Sequence, residues 1–364
     1  MNSRPNGVLP YQAINKMIAE GQLKGDHLID VDQVQPSSLD LRLSEKAWRL
    51  QASFLPGSRY CVKEQLIEFA MHEIDLSYGS IFEKNCVYLV LLQEYVFLPN
   101  DISAVSNTKS SIGRLDLLTR LITDYGTEFD RIPHGYVGPI YAEVSPRSFS
   151  VLVKKGTRLN QIRFRRGKVI VSDEDLIKLN KEEGLIGKNA IVDGGISFSI
   201  DLDPKQSQAI GYKAKPNAPL IDLEKINFYN IGDFWDTIIS KEGLLILDPG
   251  AFYILMSKET VTVPPKFAAE MAPYLAMVGE FRVHYAGFFD PGFGLASVSG
   301  AGSRGVLEIR CYEAPFALRS GQVIGRLIYE RMADVPDMLY GADLKSNYQG
   351  QKLKLSKHFL SKNN

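Results

Sequence analysis

Cysteine is scarce in this chain, and what is missing around it matters as much as its number. Cys61, Cys86 and Cys311 are scattered, odd in number and free of any CxxC spacing. That pattern excludes a disulfide framework and a thiolate metal knuckle, and reads as reduced thiols of a cytoplasmic protein. The five histidines are equally unhelpful to a metal, since none opens an HxE, and the zinc deaminase ligand set is therefore absent. No apolar run approaches the length of a membrane span, and MNSRPNGVLPYQ has no apolar signal core. Charge of one sign is lacking too. Lys plus Arg and Asp plus Glu each number 42, so no global field draws the chain to nucleic acid or to a membrane. Any anion site has to be built locally.

What is present is an ordinary globular composition, 45% hydrophobic over 364 residues, enough for roughly two domains. The two halves repeat. YVFLPNDISAV (95–105) returns as ETVTVPPKFAAE (259–270), IYAEVSP (140–146) as VLEIRCY (306–312), and VLVKKGTRLNQIRF (151–164) as FALRSGQVIGRLIY (316–329). Pro99 and Pro264, Glu143 and Glu308, and Gly156 and Gly321 all lie 165 positions apart. Each copy opens with a short helix. LPYQAINKMIAEGQLKG (9–25) spaces Ile14, Met17 and Ile18 helically and stops at Gly21; SDEDLIKLNKEEGLIG (172–187) has Ser172 as cap, acids in its first turn and Gly184 at its end. Elsewhere short Val-, Ile-, Tyr- and Phe-rich runs are bounded by Gly, Pro, Asn and Asp, which predicts all-β modules of sandwich or barrel type. The expected division is module one at 1–168, module two at 169–332 and a polar, Lys-rich tail at 333–364, read as flexible.

Two strings carry possible chemistry. KSSIGRLDL (109–117) places Lys109, Ser110, Ser111 and Arg114 within six residues, which suits phosphate oxygens: hydroxyls donate and a guanidinium forks across two oxygens. Taken alone, a capped turn with a surface Arg is the plainer reading. HYAGFFDPGFG (284–294) builds a tight turn in which Asp290 accepts a hydroxyl proton and Phe293 stacks on a base or sugar; an ordinary hairpin turn is the alternative. Glu308 follows on an apolar strand, where a carboxylate serves as general base if buried, or faces solvent if the strand is an edge.

Together with QPSSLDLRLS (35–44) and ALRSGQVIGRLIYE (317–330), these motifs resemble, in order, those of the dCTP deaminase branch of the trimeric dUTPase superfamily. YGADLKSNYQG (340–350), with Tyr340, Lys345 and Gln349, is similar to that family's nucleotide-covering C-terminal segment. The resemblance covers most of the chain, and departs from the family in carrying two copies of a module that is usually single. It implies two tandem dUTPase-like distorted β-barrels with short peripheral helices, and a zinc-free deamination in which Glu-activated water attacks C4 of cytosine. By the same resemblance magnesium is expected to arrive with the triphosphate, dUTP to leave for thymidylate synthesis, and dTTP is the inhibitor to test. A dUTPase, a bifunctional deaminase–dUTPase and a non-catalytic nucleotide-binding regulator remain open.

The copies are unequal. Copy one keeps SSIGR, but RIPHGY (131–136) has Pro133 and His134 where a DPG turn would begin. Copy two keeps DPGF and Glu308, but APYLAMVGEF (272–281) offers no SSxxR. This predicts shared labour: Lys109, Ser110, Ser111 and Arg114 from copy one, and Ala286, Asp290, Phe293 and Glu308 from copy two, under a tail with Tyr340, Lys345 and Gln349. Glu308 is the expected base, with Glu143 as its vestigial or structural counterpart. Family sites form between subunits, so the resemblance implies a homo-oligomer, a trimer of fused chains or another. The Lys-rich stretch KLKLSKHFLSK (352–362) reads as solvated, with no nucleic-acid role.

Overall fold

The computed structural model describes residues 5–187, 190–203, 209–239, 242–273, 281–284, 287–295, 302–341 and 353–360. The chain is mainly strand, with a few short helices and a near-barrel sheet, and it divides into two compact units at Val169/Ile170. Two short segments do not follow the division expected from sequence: Pro219–Ile226 and Met332–Asp337 belong to unit one. The first does so because Ile221 and Asp222 add a parallel strand beside Val151 and Leu152. The second does so because Met332 bridges Val8, and Ala333 N–H donates to the Val8 carbonyl.

In unit one the main sheet runs, neighbour to neighbour, Leu117–Thr123, Val137–Pro146, Val87–Phe97, Leu39–Leu50, Arg158–Arg166, Ile102–Thr108, Arg131–Ile132. In unit two a five-stranded sheet runs Trp235–Ile238, Gly211–Ala214, Phe252–Val261, Ser303–Cys311, Phe281–His284, and a four-stranded one runs Ile196–Ser199, Val323–Arg331, Phe267–Pro273, Phe288–Phe289. The repeat is exact at the level of register. Glu143 faces Leu89 across one ladder and Glu308 faces Ile254 across the other, and both pairs are related by the 165-residue offset. The small sheets repeat too, with Ser80–Phe82 beside Val151–Val153 and Leu244–Leu247 beside Phe316–Arg319.

The helices follow their local signals. Asp173–Glu183 begins at Ser172, whose Oγ accepts from the Asp175 amide at 3.3 Å, and ends at Gly184 with φ +67°, a left-handed cap that glycine adopts without strain. Tyr11–Ala19 buries Ile14 and Met17, and the chain turns out of it at Gly21, φ +71°.

Strand alternation then decides which face each glutamate takes. In unit two Tyr253, Leu255, Leu307 and Ile309 join the large apolar core, so their neighbours Ile254 and Glu308 point to the other face of the sheet. In unit one that other face has a core of its own, in which Leu50, Phe54, Val62 and Leu66 pack on Leu89, Ile122 and Tyr141. The helix Val62–Phe69 forms the lid of this second layer. Both glutamates therefore lie beneath a covered face.

Candidate active site

The clamp motif of unit one forms a single helical turn, Ser110–Gly113, with Lys109 at its cap position and the Lys109 amide donating to the Leu159 carbonyl at 2.9 Å. Lys109 Nζ is held by the Asp40 carboxylate, which joins KSSIGR to QPSSLDLRL, two motifs far apart in sequence. Ser110 stays partly exposed, Ser111 is buried, and Arg114 is only 3% exposed. The surface-Arg alternative for this turn is therefore overturned: the guanidinium is packed into the unit rather than solvated.

Glu143, in the middle of its strand, is 2% exposed. Arg120 from the neighbouring strand reaches its Oε1 with Nε at 3.0 Å and also through Nη2. Arg120 in turn donates to Ser53 Oγ at 2.9 Å and lies 3.6 Å from the Phe129 ring centroid. The glutamate is thus tied into a packed cation–aromatic arrangement. Its Oε2 is buried with no hydrogen-bond partner among the described residues. An Arg opposite the Glu in an antiparallel ladder was a readable signal in TRLIT and YAEVS, once the pairing is known.

The turns of the two copies keep one backbone and differ in chemistry. In copy one the Leu98 amide donates to the Tyr136 carbonyl at 2.9 Å; in copy two the Val263 amide donates to the Phe293 carbonyl at 2.8 Å. Gly135 and Gly292 both have positive φ, +68° and +99°. What copy one has lost is the carboxylate, because Pro133 stands at the position of Asp290. Its Tyr136 hydroxyl donates to the Pro139 carbonyl at 2.7 Å and accepts from the Asp124 amide, and burial pushes that hydroxyl well above its usual pKa. It stays a donor that locks the turn.

In copy two Asp290 and Phe293 are both buried. Phe293 belongs to the unit-two core, with Phe289 at 5.1 Å edge-on and Tyr340 at 5.9 Å. Tyr340 is seated there by its amide, which donates to the Pro291 carbonyl at 2.9 Å. The structure therefore brings the DPGF turn and the first tail residue named above into contact within one unit. Glu308 is 4% exposed and central, flanked by Phe252–Val261 on one side and Phe281–His284 on the other. This overturns the alternative of a solvent-facing Glu on an edge strand. Ala286, Lys345, Gln349 and the whole of 274–280, which includes the positions 165 residues after SSIGR, lie outside the described residues.

The described part of the tail near its end, residues 353–360, is anchored by hydrogen bonds and packing. Phe228 and Tyr229 amides donate to the His358 carbonyl, Leu360 N–H donates to the Tyr229 carbonyl, and Ser356 Oγ is 2.7 Å from His358 Nδ1. His358 is 0% exposed. Phe359 packs 5.4 Å from Phe234 and 6.0 Å from Trp235. Lys354 is exposed and Lys357 half-buried, on a backbone whose Ser356, His358 and Phe359 are buried.

Two divergent copies of one β module, each with a buried glutamate on its central strand, define the class to which this chain belongs. Comparison with known proteins makes it specific. The model of the 2'-deoxycytidine 5'-triphosphate deaminase N-terminal domain matches residues 5–168, and that of the C-terminal domain matches 172–359. The chain belongs to the dCTP deaminase family. A solved structure of 2'-deoxycytidine 5'-triphosphate deaminase from Agrobacterium tumefaciens is 50% identical, with a TM-score of 0.87 over 90% of this chain and 100% of that one. Two curated relatives match over less than half of this chain. The "dCTP deaminase, dUMP-forming" of Methanobrevibacter smithii is 29% identical over 160 residues, 43% of this chain and 79% of its own. The dCTP deaminase of Halorubrum lacusprofundi is 29% identical over 161 residues, 40% and 71% respectively.

Proposed function

We propose that this protein deaminates dCTP to dUTP and ammonia, with Glu308 as general base and without zinc. The observation that carries the activity is the likeness to the Agrobacterium tumefaciens deaminase, which extends over both modules rather than one. Glu308 takes a proton from water as the oxygen adds to C4 of the cytosine; the C4–N bond then breaks, ammonia leaves with that proton, and the remaining hydroxyl proton ends on N3 as the C4 carbonyl forms. Ser110 and Arg114 position water and substrate, and Lys109 and Ser111 bind the phosphates. Magnesium enters as part of the triphosphate substrate. Asp290, Phe293 and Tyr340 are assigned to the sugar side, with Ala286, Lys345 and Gln349 as further nucleotide contacts, in a cytoplasmic homo-oligomer, a trimer in the simplest case.

Support for Glu308 over Glu143 is physical. Arg120 already occupies Oε1 of Glu143 and packs against Phe129, and the turn belonging to Glu143 has no carboxylate. Glu308→Gln is expected to lower dCTP turnover by about 10²- to 10⁴-fold, with Glu143→Gln affecting stability more than rate. Near-normal turnover in the first variant and abolition in the second would reverse the assignment.

A second reading has its own support, because several relatives bear the description dUMP-forming. Product separation after incubation with dCTP decides it. dUTP and ammonia alone mean simple deamination; dUMP and pyrophosphate mean that the α-phosphate is attacked as well, with Asp290 as the residue to test.

A further inference from the structure

Unit one contains a cavity that the deaminase reading does not use. It lies between the helix Val62–Phe69 and the sheet, has a volume of about 370 Å³, and is walled by Trp48, Tyr141, Leu66 and Leu91. Lys46 and Lys63 stand at its rim, both exposed, and neither has an ion-pair partner among the described residues. Tyr141 is buried, yet its hydroxyl makes no hydrogen bond among the described residues. The hollow is therefore lined by two aromatic side chains, by aliphatic ones and by two exposed lysines with no ion-pair partner among the described residues.

The second copy shows that the fold does not require this arrangement. Tyr212, Met256 and Val306 stand there at the register positions of Trp48, Leu91 and Tyr141. Over the same face copy two packs Phe234, Trp235 and the tail's Phe359. An open aromatic hollow with a cationic rim is thus a feature of copy one's own side chains.

We propose that this cavity binds a small planar anion, an aromatic ring carrying a carboxylate or a phosphate. Its size falls within the range of small-molecule sites. The ring lies against the indole of Trp48 and the phenol of Tyr141, and the anionic group meets Lys46 and Lys63 at the mouth. An apolar ring alone would leave the two ammoniums unused, and a free inorganic anion would leave the aromatic walls unused. The proposal does not depend on which glutamate deaminates dCTP.

The chain contains two tryptophans, Trp48 and Trp235, so emission reports on the cavity directly. The full-length protein is titrated with 1-naphthoate, with uridine 5'-monophosphate and with neutral 1-naphthalenemethanol. Saturable quenching by naphthoate, by the nucleotide or by both is expected, and tells a carboxylate ligand from a phosphate one. Trp48→Phe should remove the quenched component. Lys46→Glu combined with Lys63→Glu, two exposed positions that leave the fold intact, should weaken binding about tenfold or more. The proposal is overturned by an absence of saturable quenching with either anion, by quenching that persists in Trp48→Phe, by equal binding of the neutral alcohol, or by unchanged affinity in the charge-reversed variant.

Discussion

Arg120 decides the fate of Glu143 more than the sequence around the glutamate does. A buried ion pair contributes little net stability when intact, but removing one partner strands the other. Arg120→Ala leaves Oε1 of the buried Glu143 carboxylate without its guanidinium donor, beside an Oε2 that has no partner among the described residues. We expect a loss of about 3 kcal/mol in urea unfolding, largely recovered when Glu143→Gln is added; a neutral single variant would contradict the packing described. A second residue gives a pH signature. The Tyr253 hydroxyl accepts the Asp248 amide at 2.8 Å, and burial raises its pKa to about 12, against about 10 for an unperturbed tyrosine. The raised value means that its contribution is complete below pH 10 and is lost as pH climbs towards 12, where the unfolded chain ionises first. Thermal melts should therefore fall across that window, and fall less in Tyr253→Phe. Parallel curves for the two proteins would exclude this tyrosine as a source.

At the scale of elements, what could be read from sequence was what is local. Ser172, the acids after it and Gly184 mark a helix within a dozen residues, and the structure has it at Asp173–Glu183. The offset between Glu143 and Glu308 is likewise visible in the string, and reappears as the same ladder register in each unit. What could not be read depends on pairing across long separations. Asp40 meets Lys109 across 69 residues, and Arg120 meets Glu143 only because two strands align. The turn at 131–136 teaches the same lesson in reverse. Its letters suggest a damaged motif, yet the Leu98–Tyr136 backbone bond matches the Val263–Phe293 one. The backbone bond is the same in both turns although only one carries a carboxylate, and each has a positive-φ glycine, Gly135 and Gly292.

For the whole molecule, the asymmetry between units extends beyond their motifs to how each covers the face that carries its glutamate. Unit one does so with residues that precede its second strand pair, through Phe54, Val62 and Leu66. Among the described residues unit two has at that place the four-residue helix Ile231–Phe234, and the cover is completed with Leu355, His358 and Phe359 from near the end of the chain. Burying one Phe or Leu side chain is worth roughly 1.5–3 kcal/mol, part of which is spent on ordering the segment. A chain truncated after Lys352 should thus lose about 2 kcal/mol or more from unit two. The loss should be local. Trp235 touches Phe359 and should shift its emission to longer wavelength, whereas Trp48, in unit one, should keep its own; single-tryptophan variants separate the two signals. dCTP turnover should fall with the Trp235 shift if Glu308 is the general base, as proposed, and this cover keeps bulk solvent from it. Were the truncated protein to melt at the native temperature with unshifted Trp235 emission, the tail would have no part in closing this face, and Glu308 would owe its burial to the sheet alone.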